Sequence, residues 1–170
     1  MRLASTATEV FTLQYIVNIR GSGQGETGVG LSPSVEDYLK VIHALQETRR
    51  DSAAGVPTSS IADELDVQPA SVTGMVKKLA ESGLLRHAPY RGVRLTERGR
   101  SEALRVLRRH RILETYLCER LGYDHASVHP EACRLEHAAS EELIERMSLA
   151  LGTPSHDPHG TPIPRVQNEE

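Results

Sequence analysis

Residues 58–95 constrain this fold more than any other stretch. Two segments of helical periodicity, 58–65 and 69–82, are separated only by Asp66-Val67-Gln68. Three residues allow nothing but a tight turn. Thr58 or Ser59 can cap the first helix. Pro69 suits the opening of the second, where Val72, Met75, Val76 and Leu79 recur on one face. Two short helices joined this way make a helix-turn-helix. After Gly83, residues 84–87 and 93–95 read as short strands around the turn signal Pro89-Tyr90-Arg91-Gly92. Helix pair plus hairpin predicts a winged helix-turn-helix over 32–96.

The rest of the chain is helical in pattern. The 170 residues contain one Phe and no Trp, so the core must be Leu, Val, Ile and Ala, which suits packed helices. A first helix is expected from Pro33, capped by Ser32, with Val35, Leu39, Ile42 and Leu45 as its stripe. Thr96 caps a long helix reaching about Leu121, where Gly122 ends it. Pro130 can open the next helix, and Ser140 caps a last one through Leu151. The expected fold is mainly α, with a small β-hairpin wing and a helical second domain over 97–152. Residues 1–31 read as a flexible or disordered extension with a short strand at 10–17 and a glycine-rich linker. Residues 153–170 read as an extended tail. Two cysteines make no disulfide framework. No run approaches the ~18 apolar residues of a membrane span, and the N-terminus is a poor signal peptide. A cytoplasmic protein without membrane contact is expected.

Net charge is −3, but its distribution is uneven. Residues 77–111 hold eleven Lys or Arg against Glu81, Glu97 and Glu102. The part around the wing suits a nucleic-acid surface; the run from Arg100 to Arg111 reads as a solvated helix face. A recognition helix needs small or polar groups where it meets the groove. Gln68, Pro69, Ala70, Ser71, Thr73, Gly74 and Lys77 meet that need, with Arg91 on the wing. Gly74 costs a helix about 1 kcal/mol against Ala. Either close approach to DNA or an internal packing contact explains it. With no Arg or Asn early in the helix, phosphate contacts, thymine methyls and DNA shape are expected to dominate readout.

A second constellation lies downstream. Cys133, Glu136 and His137 stand at i, i+3 and i+4 and share one face if helical. A thiol, a carboxylate and an imidazole together suit a divalent transition metal. His110 and Glu114 are i, i+4 on the long helix, and His129 lies just before Cys133. Taken singly, each has a plainer reading: Cys133 as a small core residue, His110 as a surface group, Glu136 as a solvated acid.

Jointly, these segments resemble the diphtheria-toxin-repressor family, including its manganese-responsive branch. The resemblance runs from about Ser32 to Pro164. It is carried by Val35-Glu36-Asp37-Tyr38-Leu39, Ser71-Val72-Thr73, Tyr90-Arg91-Gly92-Val93-Arg94-Leu95-Thr96, Arg109-His110-Arg111, His129-Pro130-Glu131-Ala132-Cys133-Arg134-Leu135-Glu136-His137 and Asp157-Pro158-His159-Gly160-Thr161-Pro162-Ile163-Pro164. It implies a winged-helix domain followed by a helical dimerisation and metal-binding domain, in a short form without the SH3-like third domain. It also implies a homodimer on a double-stranded, palindromic DNA operator. One metal site would comprise Asp37, Cys133, Glu136 and His137. An ancillary site would comprise His110, Glu114 and His129, with His156 or His159 as substitute ligands expected to be solvent-exposed.

Asp37 matches the manganese-responsive branch and Cys133 the iron-responsive one. Lys40 stands where two-metal manganese regulators place Glu, so a close binuclear cluster is not expected. Mn(II) is favoured, with Fe(II) a close second. Two other classes share parts of this pattern: a winged-helix regulator sensing thiol oxidation through Cys133 or Cys118, and a zinc or thiol enzyme. No phosphate loop or nucleophile elbow accompanies the cluster, so an enzyme is not expected.

Overall fold

The computed structural model describes residues 30–49, 55–88 and 91–165. Residues 1–29, with the strand expected at 10–17, lie outside that set, as do Pro89 and Tyr90 of the wing turn. The chain divides into two compact units, Met1–Glu102 and Ala103–Glu170.

The first unit is the winged helix-turn-helix. Helix α1, Pro33–Glu47, starts with Pro33 in its first turn and Ser32 extended at the cap. The Ser32 side chain makes no capping bond there. Helix α2, Thr58–Leu65, is capped by Pro57 rather than by Thr58 or Ser59. The Ile61 amide already donates to the Pro57 carbonyl at 3.3 Å, so the helix begins one residue early. It ends at Asp66 in the left-handed region, φ 51° and ψ 47°, a conformation that Asp tolerates better than most residues. That single reversal turns the chain into α3, Pro69–Glu81. Val72, Val76 and Leu79 are buried, i, i+4 and i+7 on the inner face of α3.

Strands β1, Leu85–Ala88, and β2, Gly92–Leu95, pair antiparallel with Leu85 opposite Leu95 and Ala88 opposite Gly92. Val56 extends the pairing through two 2.8 Å bonds with Val93. Two glycines make this packing possible. Gly92 has φ +79°, and a Cβ there would lie 2.6 Å from the Val56 carbonyl oxygen. A Cβ on Gly99 would lie 1.8 Å from the Leu84 carbonyl oxygen.

Helix α4, Glu97–Leu121, follows the wing and continues into the second unit. Thr96 caps it: the Thr96 hydroxyl accepts from the Gly99 amide at 3.1 Å and donates to the Gly83 carbonyl at 2.8 Å. Helix α5, Val128–Leu135, starts two residues before Pro130. Pro130 is thereby its third residue, where the missing N–H costs nothing. Helix α6, Glu141–Ala150, has the expected cap, with the Ser140 hydroxyl accepting from the Leu143 amide. Ile112, Leu113, Leu117, Val128, Ala132, Ala139, Ile144 and Ile163 form the core of this unit.

Ile163 belongs to the segment expected to run as an extended tail. It folds back instead: its amide donates to the Ser155 carbonyl at 2.9 Å, and Asp157 N to the Thr161 carbonyl at 2.9 Å. The basic run of α4 holds much of this together, so it is no solvated face. Arg105 and Arg109 pair with Glu141, Arg108 pairs with Glu145, and Arg111 pairs with Asp157 at 3.7 Å. Arg108 also donates to the Pro164 carbonyl at 3.1 Å, and Arg111 to that of Pro162. In the first unit Arg100 pairs with Glu47. Lys77 and Lys78 of α3 and Arg86 and Arg91 of the wing are exposed.

Candidate functional site

In the second unit, four of the expected ligands come from two helices by the same rule. His110 and Glu114 are i, i+4 on α4; His129 and Cys133 are i, i+4 on α5. Helical repeat puts each pair on one face. His110 Nε2 lies 3.0 Å from Glu114 Oε1, His129 Nδ1 lies 3.1 Å from the same oxygen, and the two nitrogens are 3.1 Å apart. Ligands about 2.1 Å from an ion, at right angles, are about 3.0 Å apart. The triangle therefore has the dimensions of one face of an octahedral coordination sphere.

The other edge of His110 faces the second set. Its Nδ1 is 2.5 Å from Glu136 Oε2 and 4.0 Å from Cys133 Sγ. Cys133 Sγ lies 3.4 Å from His129 Nε2. Glu136 Oε1 lies 3.5 Å from His137 Nε2. The expectation that Cys133, Glu136 and His137 all ride one helix is only partly met. Helix α5 ends at Leu135. Glu136 keeps right-handed helical dihedrals and its amide bonds to Ala132, while His137 sits in the turn beyond. The two ligand sets are thus not separate. His110 joins them, which spacing along the chain did not reveal.

The side chains of His110, Glu114 and Glu136 are all 0% exposed. Two buried carboxylates are costly unless positive charge faces them. Here the imidazoles supply it. Burial by itself would lower the His110 pKa. The Glu136 charge and hydrogen bonds to Cys133, Glu114 and Glu136 outweigh that and hold it well above the usual histidine range. For His129 burial again lowers the pKa, but hydrogen bonds to Cys133 and Glu114 and the Cys133 charge outweigh it. A divalent cation would balance the same two carboxylates. The donor atoms of His110, His129 and Cys133 lie within 4.8 Å of one another. Donor chemistry, charge and spacing therefore fit a metal ion.

Asp37 is buried on α1 in the first unit. His156 is exposed, with its Nδ1 2.9 Å from the Ser155 hydroxyl. His159, expected in solvent, is not there: its side chain is 12% exposed and its Nε2 lies 4.0 Å from Glu114 Oε1. The turn signal at Asp157-Pro158-His159-Gly160 marks a loop, but nothing local says which way it folds.

The nucleic-acid candidates sit on a different surface. Gln68, Pro69, Ala70, Ser71, Thr73, Gly74 and Lys77 are all exposed along α3, and Arg91 is exposed on the wing. The Thr73 hydroxyl donates back to the Pro69 carbonyl at 3.1 Å. A Cβ built on Gly74 meets nothing within 4 Å. Internal packing is therefore not the reason for a glycine there.

Residues 30–93 match the profile of the iron dependent repressor N-terminal DNA binding domain, and residues 96–165 that of its metal binding and dimerisation domain. An uncharacterized HTH-type transcriptional regulator of Methanocaldococcus jannaschii is 39% identical over 122 residues, covering 71% of this chain and 94% of that protein. The iron-dependent repressor IdeR of Mycobacterium tuberculosis is 38% identical over 136 residues, covering 79% of this chain. This chain spans 56% of IdeR, a little over half its length. A solved manganese-dependent transcriptional repressor in complex with manganese is similar with TM-score 0.69 and 44% identity, over 78% of this chain and 59% of that one. The characterised relatives are DNA-binding repressors and not enzymes. A winged helix-turn-helix, a buried cluster of histidine and glutamate side chains and two consecutive domain matches place this chain in the iron-dependent repressor family of metal-dependent transcriptional regulators.

Proposed function

We propose that this chain is a cytoplasmic, metal-dependent DNA-binding repressor of Mn(II) or Fe(II) homeostasis genes. The observation that carries the reading is His110 held between two fully buried carboxylates, Glu114 and Glu136. Buried carboxylates on both sides of an imidazole suit cation binding better than apolar packing. His110 Nε2, Glu114 and His129 are assigned to one ion. Cys133, Glu136 and His137 are assigned to another, with Asp37 added on the strength of the sequence match. Bound metal would supply the positive charge that protons otherwise bring. The chain's own contribution is to orient the ligands. Glu136 accepts the His110 Nδ1 proton and so directs Nε2 at Glu114, as carboxylates do behind metal-binding histidines.

Mn(II) is preferred over Fe(II) because Asp37 and Glu136 give the Cys133 set two hard oxygen ligands. Thiol-oxidation sensing is disfavoured at Cys118: burial, then the charges of Glu114, Asp124 and Glu119, push its pKa up, which makes a poor thiolate. A two-fold dimer on a palindromic operator is part of the proposal. Among the described residues, the exposed large hydrophobics Leu121, Tyr123, Leu135, Leu143 and Leu149 all belong to the second unit. No described helix is long and apolar enough to cross a membrane.

A ligand shifts a conformational equilibrium only by its differential affinity for the two states. Operator affinity should therefore rise when Mn(II) or Fe(II) is added, and His137→Ala should abolish the rise with the fold intact by circular dichroism. Equal operator binding with metal and with chelator would refute the function.

A further inference from the structure

We propose that His125 is the outer station through which an ion reaches the His110, Glu114 and His129 centre, an inference that rests on the metal reading above. The centre is buried unevenly. The His110 and Glu114 side chains are 0% exposed, those of His129 and His159 are 17% and 12% exposed, and His125 lies in the open. A hydrated cation cannot arrive at Glu114 with all its waters attached. It exchanges them for protein ligands on the way in, and a donor is needed where that exchange begins.

Two independent observations put His125 there. The first is register. The Asp124 carbonyl accepts from the Ser127 and Val128 amides, both at 3.0 Å, and from the Ser127 hydroxyl at 3.2 Å. Residues 124–128 therefore form one helical turn leading into α5. His125 stands one turn before His129, as His129 stands one turn before Cys133. The second is contact. The His125 ring meets that of His159 edge-on, with centroids 6.2 Å apart and planes at 85°. His159 Nε2 in turn lies 4.0 Å from Glu114 Oε1. Donor groups thus lead in steps from solvent to the buried carboxylate. An imidazole that holds the ion only in transit stabilises the transition state of entry and of release alike, and leaves the bound state unchanged. A first donor of this kind favours transition-metal ions over Mg(II), which dehydrates reluctantly and takes oxygen.

The test uses the full chain carrying His137→Ala, which removes a ligand of the other set, with Mn(II) as the probe. Association is followed by rapid-freeze-quench EPR of the free ion, and release by a chase with excess EDTA. On adding His125→Ala both rates should fall about tenfold, because an interaction made only in transit is lost. Kd and the number of coordinated imidazoles counted by pulsed EPR should stay as in the parent. His125→Phe keeps a ring against His159 without a donor and should be as slow as His125→Ala. His125→Asp restores a donor and should recover the parent rates. Unchanged rates in His125→Ala overturn the proposal and leave the centre standing. Parental rates in His125→Phe also overturn it, since the ring alone would then suffice. A weaker Kd with one imidazole fewer in His125→Ala overturns it too, by making His125 a ligand of the bound ion. Failure of the chain with His125 in place to bind Mn(II) at all overturns both this proposal and the metal reading.

Discussion

Replacing Gly74 by Ala separates what the fold needs from what DNA binding needs. Gly74 lies within α3 between Thr73 and Met75, and a Cβ there meets no atom within 4 Å. The folded state therefore takes the methyl without strain. Ala is better than Gly in a helix interior by about 1 kcal/mol, so the variant should be more stable by that amount. For a domain of this size that raises Tm by about 4–8 °C. Operator binding should move the other way. If the α3 backbone at Gly74 lies against DNA, the methyl intrudes on a packed contact, which costs about 1–3 kcal/mol. That range weakens Kd roughly 5- to 150-fold. Differential scanning calorimetry and a fluorescence-anisotropy titration with Mn(II), both at one fixed salt concentration, measure the two effects. The reasoning fails if Gly74→Ala is more stable and binds the operator within twofold of the parent. The glycine would then have no bearing on DNA.

Three other outcomes are expected. In chelator, stability should fall as pH rises from about 6.5: His110 and His129 have raised pKa values, so their contribution is complete below the unfolded histidine pKa and is lost as pH passes through the folded values. With saturating Mn(II) the trend should weaken or reverse, because protons and metal compete; urea midpoints from pH 6 to 9 check both arms, and a chelated protein that gains stability over that range contradicts the charge assignment. Asp37→Met should weaken the Mn(II) response and spare the Fe(II) response, and Cys133→Glu should strengthen the Mn(II) response, because Mn(II) prefers hard oxygen; anaerobic DNA-binding titrations giving an unchanged ratio would remove these residues from selectivity. Sedimentation velocity at micromolar concentration should find a dimer, and Leu121→Glu with Leu149→Glu should shift it toward monomer, since both leucines are 61% exposed in the single chain; a parent chain that sediments as a monomer with and without metal defeats the dimer proposal.

Much of the fold was legible because it depends on short-range physics. The three-residue turn before Pro69, the Thr96 and Ser140 caps and the apolar stripes of α1 and α3 are decided by local dihedrals and a 3.6-residue repeat. The same repeat makes His110 with Glu114, and His129 with Cys133, readable as pairs. Local rules failed where neighbouring groups compete. Pro57 took the cap expected of Thr58 or Ser59, and α5 stopped at Leu135, short of His137.

What spacing could not supply is how the pairs meet. His110 and Glu136 are 26 residues apart, and their contact depends on α4 and α5 sharing one apolar core. Arg108, Arg109 and Arg111 look like a solvated basic face in the chain, yet the fold turns them onto Glu145, Glu141 and Asp157. His159 looks like part of a loose tail, yet burial of Ile163 draws its loop inward and brings it to Glu114. Sequence alone determines which residues can share a helix face, because covalent geometry sets that period. Which faces meet is decided only by tertiary packing, where burial of apolar area far along the chain selects the partner of each charged group.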